Sequence, residues 1–215
     1  MIIKVSQQKF KWDFKYNISV DHSSSFLAKA NRTILPTKRR VFIMDEDGNV
    51  LIELLEKNML RKFLWSLPFV GIIAAFFYKE LYTYDIIQNN NLIGSISRIR
   101  DYSQPRVEGH INERSLAIYE FSLGRKGIKY PVFYNGVQVG LIEKSLVTNY
   151  NADTYVSHFD SDSDMICNIL TNVVVDLVFQ TSDISTEISS KKIQYEWNLL
   201  QGLAKVQYDE NWKPK

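Results

Sequence analysis

Apolar and polar residues alternate along most of the first 160 positions, and short polar clusters interrupt the alternation at regular intervals. In "RVFIMDEDGNVLIEL" (40–54) two apolar runs flank Asp47-Gly48, a strong hairpin signal. "LYTYDIIQNNNLIGSIS" (81–97) repeats the grammar with Asn89, Asn90 and Asn91 at the turn, and "YPVFYNGVQVGLIE" (130–143) does so with Asn135-Gly136. Weaker strand patterns occupy 11–20, 25–35, 105–111, 115–123 and 152–159. Many short strands at such spacing predict a barrel or sandwich, and a barrel wide enough can hold a helix in its lumen.

The pattern changes at "DSDMICNILTNVVVDLVFQ" (162–180). On a helical count Asn168, Asn172 and Asp176 fall at i, i+4 and i+8, one narrow polar stripe on an otherwise apolar surface. Ser161 or Asp162 is the expected N-cap. The run is shorter than the ~20 apolar residues of a bilayer span, and Asp176 would be costly inside one. It is predicted to be a helix surrounded by protein, its polar stripe facing polar strand groups or a barrel opening. The fold class that follows is mainly β: a closed antiparallel barrel of short hairpins around a buried C-terminal helix. Residues 1–180 form the barrel domain. Residues 181–215 form a tail whose Ile184, Ile188, Tyr195, Leu199, Leu203 and Val206 suit an amphipathic helix, although alternation in 193–197 allows a strand.

Composition changes this picture little. Apolar residues make up 45% and charged residues 23% of the 215, values ordinary for a globular chain. A net charge of +2 gives no reason to expect nucleic acid as a partner. The single cysteine, Cys167, allows no internal disulfide, and the first 17 residues carry lysines with no apolar signal region. The expected location is the cytoplasm or a membrane surface facing it.

"FIMDEDGNVLIEL", "YDIIQNNNLIGSI", "VFYNGVQVGLIEK" and the terminal "DTYVSHFDSDSDMICNILTNVVVDLVF" together resemble the tubby C-terminal-like superfamily, which includes tubby domains, phospholipid scramblases and LURP-one-related proteins. The resemblance covers about residues 10–180. It implies a helix threaded through the barrel and basic surface residues that bind phosphoinositide head groups, with no catalytic signature.

The residues themselves offer no enzyme motif. "DEDGN" (45–49) breaks calcium-loop spacing and reads as a turn, and "DSDSDM" (160–165) reads as helix capping. His22, His110 and His158 lack metal-ligand spacing, and no nucleophile elbow or phosphate loop is present. No cofactor is expected. The candidates for function are basic clusters: Lys38, Arg39 and Arg40; Arg61 and Lys62; Arg125 and Lys126. Each is either a solvated turn or a contact to lipid phosphate. Arg61-Lys62 precede "FLWSLPFVGIIAAFFY" (63–78), sixteen residues without a charge. That segment packs as core or lid, inserts shallowly into a bilayer with Trp65 at headgroup level and Phe69 among the lipid contacts, or joins two copies. The function expected is a non-enzymatic module binding phospholipid at a membrane surface. The alternative is a protein-binding or scaffold domain without lipid affinity, and scramblase-like lipid transfer is a third option.

Overall fold

A computed structural model describes residues 1–9, 13–31, 39–57, 80–99, 106–122, 128–145, 147–148, 153–179, 192–193, 209 and 212–215. The strands begin with β1 (Ile2–Lys9), β2 (Asp13–Val20), β3 (Ser24–Asn31), β4 (Arg40–Met44), β5 (Val50–Glu56) and β6 (Glu80–Gln88). Then come β7 (Asn91–Ile99), β8 (Arg106–Ile111), β9 (Arg114–Tyr119), β10 (Phe121–Ser122), β11 (Ile128–Tyr134) and β12 (Val137–Lys144). The short β13 (Val147–Thr148) and β14 (Thr154–Phe159) precede the helix α1 (Met165–Phe179), and β15 (Lys192–Ile193) follows it.

Twelve antiparallel strands close into a barrel in the order β11-β12-β14-β1 through β9, and β9 returns to pair with β11 through Val132 and Ile118. The period-2 pattern explains the wall: Ile3 and Val5, Tyr16 and Ile18, Val41 and Ile43, Ile52 and Leu54 all bury inward while their neighbours face out. Gly94 and Gly109 let β7 and β8 approach closely, since a Cβ on either would lie 2.1 Å from a carbonyl oxygen of the other strand.

The three expected hairpins are all present. Asn89 and Asn90 (φ 49° and 63°) and Asn135-Gly136 (φ 49° and 79°) adopt the left-handed conformations that two-residue hairpin turns require. Asn91 starts β7 instead of belonging to the turn. The Asp45 carboxylate accepts from Asn49 N at 2.8 Å and Nδ2 at 2.9 Å, closing a turn through Gly48 (φ 85°).

The pattern did not point to β1, which sits between β14 and β2 and completes the barrel. Its inward series Ile3, Val5, Gln7 ends on a polar residue, which hides the alternation.

Helix α1 occupies the lumen, and every residue from Cys167 to Phe179 is buried. Asp164, not Ser161 or Asp162, is its N-cap: Oδ1 accepts from Ile166 N at 2.9 Å and Cys167 N at 3.1 Å. Ser163 Oγ donates to Asp160 O in the preceding turn and Ser161 Oγ donates to Lys215 O at 3.0 Å, which leaves Asp164 as the residue positioned to cap. At the other terminus Arg98 Nη1 donates to Val178 O at 2.8 Å, and its guanidinium lies 5.6 Å from the Phe179 ring centroid. A cation placed there complements the negative end of the helix dipole.

Of the tail, Lys192–Ile193 pairs as strand with Val147–Thr148. Asp209 N donates to Gln138 Oε1 at 3.2 Å and Lys215 N donates to Asp160 Oδ1 at 2.8 Å, which fixes both points to the outside of the barrel. The apolar stripe expected at Ile184, Ile188, Tyr195, Leu199, Leu203 and Val206 lies outside the described residues.

Truncating Leu170, fully buried in α1, to Ala should lower stability by about 2–5 kcal/mol, read as a fall in denaturation midpoint. Val174→Asp should prevent folding altogether. Near-wild-type melting of both variants would be incompatible with a helix filling the lumen.

Candidate functional site

The barrel has two unlike ends. At one, here termed the turn end, chain reversals are tight: Asp21–Ser23, Asp45–Asn49, Asn89–Asn90, Asn112–Glu113 and Asn135–Gly136. The chain enters α1 at this same end, after Phe159. At the opposite, loop end, the pairings Lys9–Phe14, Arg40–Leu55, Glu80–Ile99, Arg106–Tyr119 and Ile128–Lys144 mark where strands finish and start. In an antiparallel barrel successive connections alternate between ends, so the connections 32–38, 58–79 and 123–127 all leave from the loop end.

That topology bears directly on the basic candidates. Lys38 belongs to the first of these connections, Arg61, Lys62, Trp65 and Phe69 to the second, and Arg125 and Lys126 to the third. These seven lie outside the described residues. Arg40, at the start of β4, is exposed, and its Nε lies 3.7 Å from Glu53 Oε1.

Arg39 behaves differently from its neighbour. It is 8% exposed and turns inward, its guanidinium facing Tyr84 and Glu56, while its backbone exchanges hydrogen bonds with Glu56 at 2.9 and 3.1 Å. Burial disfavours the charge, but Tyr84 and Glu56 outweigh it and hold Arg39 above the ordinary arginine value. Arg39 is part of the barrel interior and adds nothing to an exposed basic rim. Two other described cations near this end are paired across strands, with Lys57 Nζ 2.7 Å from Asp85 Oδ1 and Lys129 Nζ 2.7 Å from Glu143 Oε1.

The lumen becomes polar toward the loop end. Asp176, only 2% exposed, accepts from Tyr155 Oη at 2.6 Å, from Tyr16 Oη at 2.9 Å and from Gln7 Nε2. Lys144 Nζ lies 3.5 Å from Asp153 Oδ1, both side chains buried. Higher in the barrel Ser157 Oγ donates to Asn172 Oδ1, and Asn168 Nδ2 donates to Ser163 Oγ at 2.7 Å. Asn172 and Asp176 thus face polar strand groups, as the spacing predicts, while Asn168 meets Ser163 in the turn before the helix. Burial first, and then the Asp176 charge, push the Tyr16 and Tyr155 hydroxyls well above the ordinary tyrosine value, so both remain donors to the carboxylate.

The sequence reading missed Gln7, Glu56, Lys144 and Asp153 as interior residues. The available signal was a polar residue continuing the inward period of an apolar strand near its loop-end terminus. The lone thiol, Cys167, is pushed up to about 12, by burial first and by Asp164 next, and is protonated at neutral pH. Among the described residues no group of three or more His, Cys, Asp or Glu could hold a metal ion, and no helix is long and apolar enough to cross a membrane.

No protein-family model, curated protein or solved structure matches the chain.

Replacing Asp176 with Leu strips an acceptor from Gln7, Tyr16 and Tyr155 and should cost about 3–5 kcal/mol in chemical denaturation. Tyr16→Phe or Tyr155→Phe should each cost about 1.5–3 kcal/mol, as for hydrogen bonds to a charged group. The pH dependence has a definite sign. Both tyrosines titrate higher folded than unfolded, so their contribution is complete below the unfolded value of about 10 and is lost as pH rises toward the folded values. Melting temperature should fall above about pH 10, and less steeply in Tyr16→Phe/Tyr155→Phe.

Proposed function

We propose that this chain is a non-enzymatic module that binds phospholipid at a membrane surface through the loop end of its barrel. The observation that carries the reading is topological. Lys38, Arg61, Lys62, Arg125 and Lys126, and the uncharged run 63–78, belong in sequence to connections between strands whose ends lie at a single end of the barrel. A rim that combines cations with an apolar segment suits an anionic bilayer, where each Lys or Arg adds about 1 kcal/mol. The resemblance to the tubby-like superfamily supplies the ligand class, and the filled lumen favours binding on the outside over uptake within. The interior charges support the non-enzymatic part: Asp176 accepts from three buried donors, and Lys144 and Asp153 are buried as a pair.

Co-sedimentation with neutral, acidic and phosphoinositide-containing vesicles tests this. Wild type should bind the acidic vesicles at low salt and release as salt rises, because the Debye length falls from ~10 Å at 0.1 M to ~3 Å at 1 M. Removing two cations, as Arg125→Gln/Lys126→Gln, should weaken binding about thirtyfold. Ile73→Asp should melt like wild type yet bind poorly. Wild type that ignores every vesicle at low salt, together with an unstable Ile73→Asp, would instead identify 63–78 as core and leave a protein-binding scaffold.

A further inference from the structure

A cleft of about 580 Å³ opens at the turn end, on the opposite side of the barrel from the proposed membrane surface. Its walls are the β8–β9 turn, with Asn112, Glu113 and Arg114, and the β11–β12 turn, with Tyr134 and Asn135; its floor is the start of α1, with Asp164 and Cys167. The walls are tied to one another. Asn135 Oδ1 accepts from Ser115 N at 2.8 Å and Ser115 Oγ at 3.2 Å, and Asn135 N donates to Ser115 O at 3.0 Å. The cleft is therefore held open by hydrogen bonds between strands and does not depend on a mobile loop.

Its chemistry is unusual for the end of a structural barrel. Tyr134 is 7% exposed, lines the cleft, and its hydroxyl has no hydrogen-bond partner among the described residues. Buried hydroxyls are normally paired, so an orphan in a preformed cleft points to a group that arrives from outside. Charges of both signs surround it: Arg114, Glu113 and Asp164, all three exposed. The helix N-terminus is not free to take an anion by itself, since Asp164 already accepts from Ile166 N and Cys167 N. An isolated anion would meet two carboxylates, and an isolated cation would meet Arg114 and the positive end of the helix dipole.

We propose that this cleft binds a small zwitterion of the amino-acid class, its carboxylate taken by Arg114 and the Tyr134 hydroxyl and its ammonium by Asp164 and Glu113. A ligand with both charges and no net charge meets each group with its complement. Tyr134 remains a donor throughout the physiological range, because burial first, and then the neighbouring Cys167 and Asp164, raise its hydroxyl above the ordinary value. Cys167 remains a thiol there, so the site binds without chemistry.

Calorimetric titration of the full chain with glycine, serine and glutamine, and with acetate and methylammonium as half-ligands, tests the site in the absence of lipid. Saturable binding of at least one amino acid is expected, with both half-ligands at least about tenfold weaker. Tyr134→Phe removes only the unpaired hydroxyl, and Asp164→Asn retains a helix cap, so both should fold. Each should weaken binding about tenfold. Arg114→Gln, at an exposed position, should do the same and serves if either of the others misfolds. Absence of saturable binding by wild type would overturn the proposal. So would binding that the three variants leave unchanged, or acetate binding as tightly as the amino acids. None of these outcomes bears on vesicle binding at the other end.

Discussion

A carboxylate inside a closed barrel sets the terms for the rest of this structure. An unpaired Asp176 in the lumen would be strongly disfavoured, and the barrel answers it with Tyr155, Tyr16 and Gln7 from three adjacent strands. Those strands, β14, β2 and β1, are the ones that bring the two ends of the barrel chain together. The hydrogen bonds to Asp176 therefore do two things at once. They fix the depth and rotation of the helix, which its nearly uniform apolar surface would leave loosely specified, and they fasten the closing strands to the element they enclose. Apolar burial makes the helix stay in the barrel; the carboxylate selects one way for it to sit there.

The lumen is graded along its length. Toward the turn end the helix is capped by Asp164 and surrounded by aliphatic and aromatic wall residues, and toward the loop end lie Asp176, the Lys144–Asp153 pair and Arg39 with Glu56 and Tyr84. Buried charges of both signs gather where the helix dipole is negative, and Arg98 closes the last turn. Such pairs add little to stability over apolar residues of the same size, but the wrong register would leave each of them unpaired. They are well suited to enforcing one strand register, and they sit at the end whose connections are longest.

The same asymmetry divides the outside. Turns at one end are made by Asn, Asp, Gly and, at position 22, His in left-handed conformations that leave no chain to spare. The opposite end carries the connections between β3 and β4, eight residues, and between β5 and β6, twenty-three residues. An up-and-down barrel imposes this separation on any sequence that alternates short and long links. A surface function at the loop end and a rigid polar cleft at the turn end can thus coexist without sharing residues.

Much of the architecture was legible along the chain. Local signals determined the Asn135-Gly136 hairpin, the alternating walls of β4 and β5, and the 3.6-residue spacing that placed Asn168, Asn172 and Asp176 on one face, because neighbours in sequence set these features. Closure, pairing over distance and the inward turn of particular residues were not local. Strand β1 reads weakly because Gln7 interrupts its apolar period, and Gln7 faces inward only because Asp176, 169 residues away, is there to receive its amide. Arg39 and Arg40 look alike in "TKRR", yet one lies in the lumen beside Glu56 and Tyr84 and the other on the surface beside Glu53. Strand parity assigns the two to opposite faces, and only the closed sheet decides which face is the interior. The sequence by itself determined most of the segments that become strands, turns and helix, β1 excepted; the tertiary structure decided which polar residues are buried, since burial of a charge depends on a partner that sequence distance conceals.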